Sequence, residues 1–247
     1  MSNSSISANT LFHFTDSIDN LVEILRNEFS PHYSLENLDP VLGDDFQIAL
    51  PMVCFCDIPL SQIHNHIDIY GRYALGLTKD WGKRNGINPV LYTYNGATIA
   101  NHISSLAGQI TSDSIGNSID TLRDFFNFIK PYEGKLWRNG AFKNGIQFYD
   151  EREWRFVPSI DDEDGIKRYL NKEIFLDKTR KDEETQKLKS KKLSFAPNDI
   201  KYIIVDKESE IYDMAIKIED IKMKFPLKHV KILVTRIISM EHIKDDF

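Results

Sequence analysis

Residues 51–77 read PMVCFCDIPLSQIHNHIDIYGRYALGL, a stretch that predicts a strand, a short helix and a second strand. The uncharged run Met52–Cys56 is typical of a buried strand. Asp57 and Pro59 suit a helix start, because an Asp side chain can accept from a first-turn N–H and proline needs no donor there. Gly71 is expected to end the helix, since glycine adopts the left-handed conformation without a Cβ clash. The alternating residues that follow predict the second strand.

Composition is that of an ordinary globular protein with one core. The 247 residues are 41% hydrophobic and 28% charged, with a net charge of −6. This charge gives no global basic field for nucleic acid. The two cysteines, Cys54 and Cys56, are too close for a good structural disulfide and favour a reducing compartment. Residues 1–10 lack the apolar core of a signal peptide, and no apolar run is long enough for a membrane span, so we expect a cytoplasmic protein without membrane contact.

The order of predicted elements favours an α+β fold, because strands and helices are mixed without regular βαβ alternation. We expect a single domain over residues 1–247, with a flexible N-terminus (1–10), a helical insertion (95–131) and a charged insertion (161–192). Further expectations are a helix capped by Asp16 or Ser17, a loop over 30–47, a helix over 115–129, an irregular segment over 135–144, a strand over 193–196 and a last strand over 230–238. Residues 177–192 are expected to form an exposed helix or a mobile loop.

Metal binding and thiol catalysis are not favoured. His64 and His66 lie two apart on a predicted helix, about 200° around its axis, so both cannot face Cys54 and Cys56. The usual Cys-x-x-Cys spacing of a zinc site is also absent. A cysteine in an apolar strand is more often inert core than nucleophile.

Glu151 and Glu153 form the most suggestive charged pair. If a strand begins near Arg152, the two carboxylates share one face with Arg155. Two such carboxylates repel each other and gain by holding a polar ligand between them. The alternative is a solvated edge strand on which the glutamates pair with Arg152 and Arg155.

Three pieces of the sequence together resemble the motifs of the ADP-ribosyltransferase fold, in its poly(ADP-ribose) polymerase branch. They are LFHFT at residues 11–15, VCFCD with the Ser and Tyr that follow it at residues 53–70, and ERE at residues 151–153. The resemblance implies a split antiparallel sheet with helices, and NAD as substrate.

The resemblance also implies a role for each matching residue. His13 would hydrogen-bond a ribose of NAD, and Glu153 would hold the 2-hydroxyl of the nicotinamide ribose while Glu151 orients the acceptor. The catalytic candidates are therefore Glu153, Glu151 and His13. The cofactor-binding candidates are His13, Thr15, Phe55, Ser61, Tyr70 and Tyr73, with Ser61 on the nicotinamide amide and Tyr70 or Tyr73 stacked on its ring.

The chain also resembles the AbiGi family of abortive phage-resistance proteins over most of its length. The matches are HFT, CFCDIPLS, the YGxYxxGLxKxW run that begins at Tyr70, and ExEWR. This resemblance implies phage defence, either as an NAD-dependent enzyme acting on a protein or nucleic-acid acceptor or as a non-catalytic antitoxin with a nucleotidyltransferase-like toxin partner. A nucleic-acid binder or nuclease that uses Lys178–Lys192 is a third possibility, which the acidic net charge weakens.

Overall fold

The computed structural model describes residues 8–43, 45–110, 125–138 and 140–246. Contacts within the chain divide it into two compact units. Unit 1 comprises the described residues within 1–30, 54–87 and 192–247, and unit 2 comprises those within 31–53 and 88–191. None of the described helices is both long enough and apolar enough to cross a membrane.

The described strands are short and lie in both units. They are β1 Thr10–Thr15, β2 His32–Asn37, β3 Gln47–Cys56, β4 Tyr73–Thr78, β5 Asn88–Pro89, β6 Leu91–Thr93, β7 Ile129–Pro131, β8 Gly134–Arg138, β9 Ala141–Ile146, β10 Glu153–Phe156, β11 Leu170–Asn171, β12 Ile200–Val205 and β13 Ile237–Ser239.

The described α-helices are joined by several 3₁₀ turns. The helices are α1 Ile18–Asn27, α2 Asp39–Leu42, α3 His64–Tyr70, α4 Lys79–Arg84, α5 Thr98–Ile110, α6 Lys172–Leu176, α7 Lys178–Lys187, α8 Ile211–Ile221, α9 Leu227–Val234 and α10 Met240–Asp246. The 3₁₀ turns used below are Leu60–Gln62 and Phe148–Glu151.

Unit 1 is built on a mainly antiparallel sheet. Strand β1 lies between β4 and the end of β3, with Phe12 opposite Gly76 on one side and Cys56 on the other. Strand β12 adds antiparallel to β4, and β13 adds parallel to β12. Phe12 packs with Ile67 of α3 and other buried residues from the helices that cover this sheet. The mixed α+β prediction is thereby confirmed, because antiparallel pairs dominate and no regular βαβ alternation occurs in the described residues.

Unit 2 contains several smaller antiparallel pairings and one parallel pair. Ala49 of β3 lies opposite Leu35 of β2 and opposite Leu170 of β11. Strand β10 pairs with β5, β8 forms a hairpin with β9, and β6 runs parallel to β7. A core forms around β2, β11, α6 and α7, with members Tyr33, Leu35, Ala49, Ile160, Ile166, Leu170, Phe175 and Leu188.

The stretch 51–77 folds as strand, helix and strand, with a different helix start from the predicted one. A 3₁₀ turn precedes α3, and neither the 3₁₀ turn nor α3 has a side-chain hydrogen bond at its N-terminus. Asp57 does not cap the helix but accepts from Lys79 Nζ at 2.6 Å. Gly71 ends α3 with φ at 103°, as predicted. A Cβ at Gly71 would overlap the backbone of Thr15, so only glycine fits this close approach.

Two expectations for unit 2 are wrong. The segment 30–47 holds β2 and α2. Its strand signal is the alternation of the buried Tyr33, Leu35 and Asn37 with less buried residues between them. The segment 135–144 forms the β8–β9 hairpin, in which Trp137 packs edge-on to Phe142 at a ring distance of 4.9 Å.

Two expectations for the C-terminal part are also wrong. Residues 230–238 form the end of α9 and then β13, because Val230 and Leu233 are buried at helical spacing. The expected strand over 193–196 is only one bridge, between Leu193 and Phe29. The helix after Ser17 is confirmed, since the Ser17 side chain accepts from Asn20 N and caps α1.

The predicted insertions are described in part. Residues 111–124 of the helical insertion, and with them most of the expected helix over 115–129, lie outside the described residues. Most of the N-terminal segment 1–10 also lies outside them. The charged insertion forms β11, α6 and α7, and Leu188 is fully buried at its far end. The single-domain prediction stays a prediction.

Candidate functional site

A buried lysine in unit 2 joins the two glutamates that the sequence singles out. Lys130 of β7 lies with its Nζ 3.0 Å from Glu151 Oε2 and 2.5 Å from Glu153 Oε2. The Phe148 ring centroid is 4.6 Å from the same ammonium group. All three charged side chains are at least nine-tenths buried, and Glu153 is only 3% exposed. Lys130 therefore holds the Glu153 carboxylate inside the protein.

Arg155 holds Glu153 from its other side. Its Nε donates to Glu153 Oε1 at 2.6 Å, and its Nη1 donates to the Asn127 backbone oxygen at 2.8 Å. Its Nη2 lies 3.0 Å from Glu36 Oε2. Arg155 is completely buried, so its charge depends on these partners for compensation.

The ion pairs control the protonation of the cluster. Burial alone would raise the pKa of Glu153, but Arg155 and Lys130 lower it well below its usual range. Burial alone would lower the pKa of Lys130, but Glu151, Glu153 and Glu36 raise it well above its usual range. At neutral pH Glu153 is therefore ionised and Lys130 is protonated.

The backbone before β10 explains how both glutamates reach one lysine. Glu151 ends a 3₁₀ turn instead of lying on the strand, and Arg152 follows with φ at 44° and ψ at 53°. This left-handed conformation is unfavourable for a residue with a Cβ and is retained only where the surroundings enforce it. The prediction that Glu151 shares a strand face with Glu153 is wrong, because Glu151 is not on the strand. The two carboxylates nevertheless lie close together, since both contact Lys130.

Three tyrosines border this cluster. The Tyr92 hydroxyl accepts from the Glu153 backbone N–H at 2.8 Å, and burial followed by the Glu153 charge raises the pKa of Tyr92 well above its usual range. Tyr149 packs edge-on to Tyr92 at 5.3 Å and stacks on Tyr132 at 5.2 Å. Tyr149 is about half exposed, so the aromatic group extends from the buried cluster to solvent.

The other candidate residues lie in unit 1, where His13 of β1 lies close to Phe55 of β3. His13 Nδ1 lies 2.8 Å from the Cys54 backbone oxygen, and its ring is 5.7 Å from the Phe55 ring. Phe55 is fully buried against Phe29 and Trp81, so it forms part of the core of this unit.

The remaining four candidates lie on β1, the 3₁₀ turn, α3 and β4. Thr15 lies opposite Tyr73 in the β1–β4 pair, and the Tyr73 hydroxyl donates to Glu210 Oε1 at 2.9 Å. Burial and this hydrogen bond raise the pKa of Tyr73 to about 12. Tyr70, the last residue of α3, stacks on His66 at 5.9 Å. Ser61 is exposed in the 3₁₀ turn.

Sequence reasoning missed Lys130 and the third carboxylate of the cluster, Glu36. Lys130 lies between Ile129 and Pro131, and a single lysine among apolar residues is the signal that could have identified it. Glu36 lies in the segment predicted as a loop. The alternative prediction of glutamate–arginine pairing is right for Glu153 and Arg155, but the pair is buried and not solvated. Among the described residues, no group of three or more His, Cys, Asp and Glu side chains is arranged to hold a metal ion.

Comparison with known proteins places the chain among abortive phage-resistance proteins. A protein of this kind from Lactococcus lactis subsp. cremoris, named abortive phage resistance protein AbiGi, is 31% identical over 247 positions, which cover 89% of this chain and 99% of the relative. The family model described as "Putative abortive phage resistance protein AbiGi, antitoxin" matches residues 27–206. The chain belongs to the AbiGi family. No solved structure matches it.

Proposed function

We propose that this chain acts in abortive phage resistance as a non-catalytic antitoxin, a protein that binds and restrains a toxin partner. The observation that carries the proposal is the burial of Glu153 between Lys130 and Arg155. A carboxylate that stabilises a ribosyl cation in a transferase has to face the reacting group. Here both carboxylate oxygens of Glu153 accept from cations of the same unit, at 2.6 and 2.5 Å.

The same ion pairs are consistent with a structural role for these residues. Buried charges are tolerated where they are paired and hydrogen-bonded, and they can fix one backbone arrangement among several. The cluster joins β2, β7, the 3₁₀ turn and β10 of unit 2 through Glu36, Lys130, Glu151 and Arg155. A binding protein needs a fixed backbone beneath its binding surface, but it needs no reactive carboxylate.

The description of the family as an antitoxin supports the same proposal and implies a toxin. The toxin we expect is nucleotidyltransferase-like, and this identity rests only on the resemblance drawn from the sequence. The test is co-expression of the chain with a nucleotidyltransferase-like toxin, with cell growth as the readout. The proposal predicts that the chain restores growth and co-purifies with the toxin.

Matched substitutions separate neutralisation from NAD chemistry. His13→Ala and Ser61→Ala remove contacts that NAD would need, and the proposal predicts that both variants still neutralise the toxin. If folded variants lose neutralisation together with NAD binding, the antitoxin proposal is wrong.

NAD-dependent ADP-ribosyl transfer is the second candidate function. The observation that favours it is the pairing of β1 with β3 beside His13 and Phe55, the two strands that carry the first two motifs of the resemblance. The test is NAD binding by calorimetry with nicotinamide release followed over hours. Release that is lost in Glu153→Gln, with the fold intact by circular dichroism, would support the enzyme; no binding at millimolar NAD would exclude it.

A further inference from the structure

Helix α8 of unit 1, the turn after it and the first residue of α9 expose four large apolar side chains, Tyr212, Ile216, Met223 and Leu227, which we call the apolar stripe. Met223, Tyr212 and Leu227 are 74%, 73% and 70% exposed, more than any other large hydrophobic residue in the described part of the chain. Tyr212 and Ile216 are one turn apart on α8, on the face opposite the buried Met214 and Ile218. Single exposed apolar residues are ordinary, but four on two neighbouring helices and the turn between them point to an interface.

The stripe has an acidic edge and a basic edge. At 100° per residue, Asp213 and Asp220 of α8 lie along one side of it. On the other side lies α9, because its Lys231 Nζ is 2.6 Å from Glu219 Oε1. The exposed Lys228 is on the same helix, and residues 221–240 contain no Asp or Glu.

We infer that this stripe is the interface of a symmetric dimer of the chain. A two-fold axis that runs along the stripe places each apolar side chain against its own copy in the partner. It also places the acidic edge of each chain opposite the basic edge of the other. An axis across the stripe would place like charges together, so the charge pattern selects dimers with parallel α8 helices.

Three of the four charges that this arrangement uses are unpaired within the described part of the chain, whereas Lys231 pairs with Glu219. Asp213, Asp220 and Lys228 make no ion pair within the part of the chain that the structure describes. The inference concerns the chain alone and does not depend on any toxin or on NAD.

The experiment measures self-association of the purified chain by sedimentation velocity across a concentration series. The wild type is expected to dimerise, and Ile216→Asp combined with Leu227→Asp is expected to raise the dissociation constant at least about tenfold. Ile99→Asp, an exposed substitution on α5 in the other unit, is the control and should leave dimerisation unchanged. A wild-type chain that stays monomeric at all concentrations overturns the inference.

Charge reversal provides the sharper test. Asp213→Lys with Asp220→Lys makes both edges basic, and Lys228→Glu with Lys231→Glu makes both edges acidic. Each double variant should be monomeric alone, whereas an equimolar mixture should form heterodimers. Association of either double variant alone, or a mixture that stays monomeric while the wild type dimerises, overturns the proposed geometry. Binding to anionic vesicles or to an acidic protein in place of self-association would also overturn it.

Discussion

Arg155 reaches two positions back along its own strand and donates its Nε–H to Glu153 Oε1 at 2.6 Å. Residues i and i+2 of a strand share a face, so the sequence alone brings these two charges together. The sequence does not show that the face is buried, nor that Lys130 binds the same carboxylate from another strand. The environment of the pair, and not the pair itself, separates a structural carboxylate from a reactive one.

Removing Arg155 should be strongly destabilising. Arg155→Met leaves Glu36 without the guanidinium, and among the described residues it leaves Glu153 with Lys130 as its one cation. Loss of one partner from a buried ion pair typically costs about 3–5 kcal/mol. Urea denaturation of the purified variant measures this change. The control is Arg72→Met, which removes a more exposed pair with Asp206 and should cost about 1 kcal/mol or less. Equal losses in the two variants would contradict the conclusion that the buried ion pairs of Arg155 stabilise the fold.

Glu153 should make stability depend on acid pH. Its pKa in the folded chain lies below the value of 4.5 that is ordinary for glutamate. The folded state therefore binds the proton less readily than the unfolded state, and the stabilisation from Glu153 is complete above pH 4.5 and lost as pH falls below it. The free energy of unfolding between pH 3 and 7 measures this dependence. Glu153→Gln should be less stable at pH 7 and should lose less stability on acidification, and an unchanged acid slope would contradict the ion-pair account.

Features that depend on residues close in sequence can be predicted from the sequence, whereas contacts between distant strands cannot. The cap at Ser17 and the glycine at Gly71 are local features, and both were predictable because they depend on adjacent backbone. Glu36 and Lys130 reach the cluster from β2 and β7, and no local pattern encodes those strand positions. The misread segment 230–238 shows the same limit, since β-branched residues suggest a strand until the burial of Val230 and Leu233 is known.

Lys222 should make the unfolding free energy rise with pH in the alkaline range, the same direction that Glu153 gives in acid. Its side chain is almost fully buried, with Nζ 4.8 Å from the Phe195 ring centroid, and burial with nearby Lys224 lowers the pKa of Lys222 to about 8. The unfolded chain keeps the proton up to the ordinary pKa of 10.5, so the unfolding free energy should rise between pH 8 and pH 10.5. Lys222→Met should flatten this rise, whereas the exposed Lys228→Met should not. A slope that Lys222→Met leaves intact would mean that another group titrates there.

Gly71 and Gly86 offer a matched test of the turn after α3. Both have positive φ, 103° and 69°, so alanine is strained at each position. At Gly86 an added Cβ meets nothing within 4 Å, whereas at Gly71 it overlaps the backbone carbonyl of Thr15, which cannot move without shifting β1. We expect Gly86→Ala to cost about 1 kcal/mol from conformation alone. Gly71→Ala should cost several times more, because overlap with backbone adds to the strain. Thermal and urea unfolding of the two variants give the comparison, and similar losses would show that the close approach of Gly71 to Thr15 is not rigid.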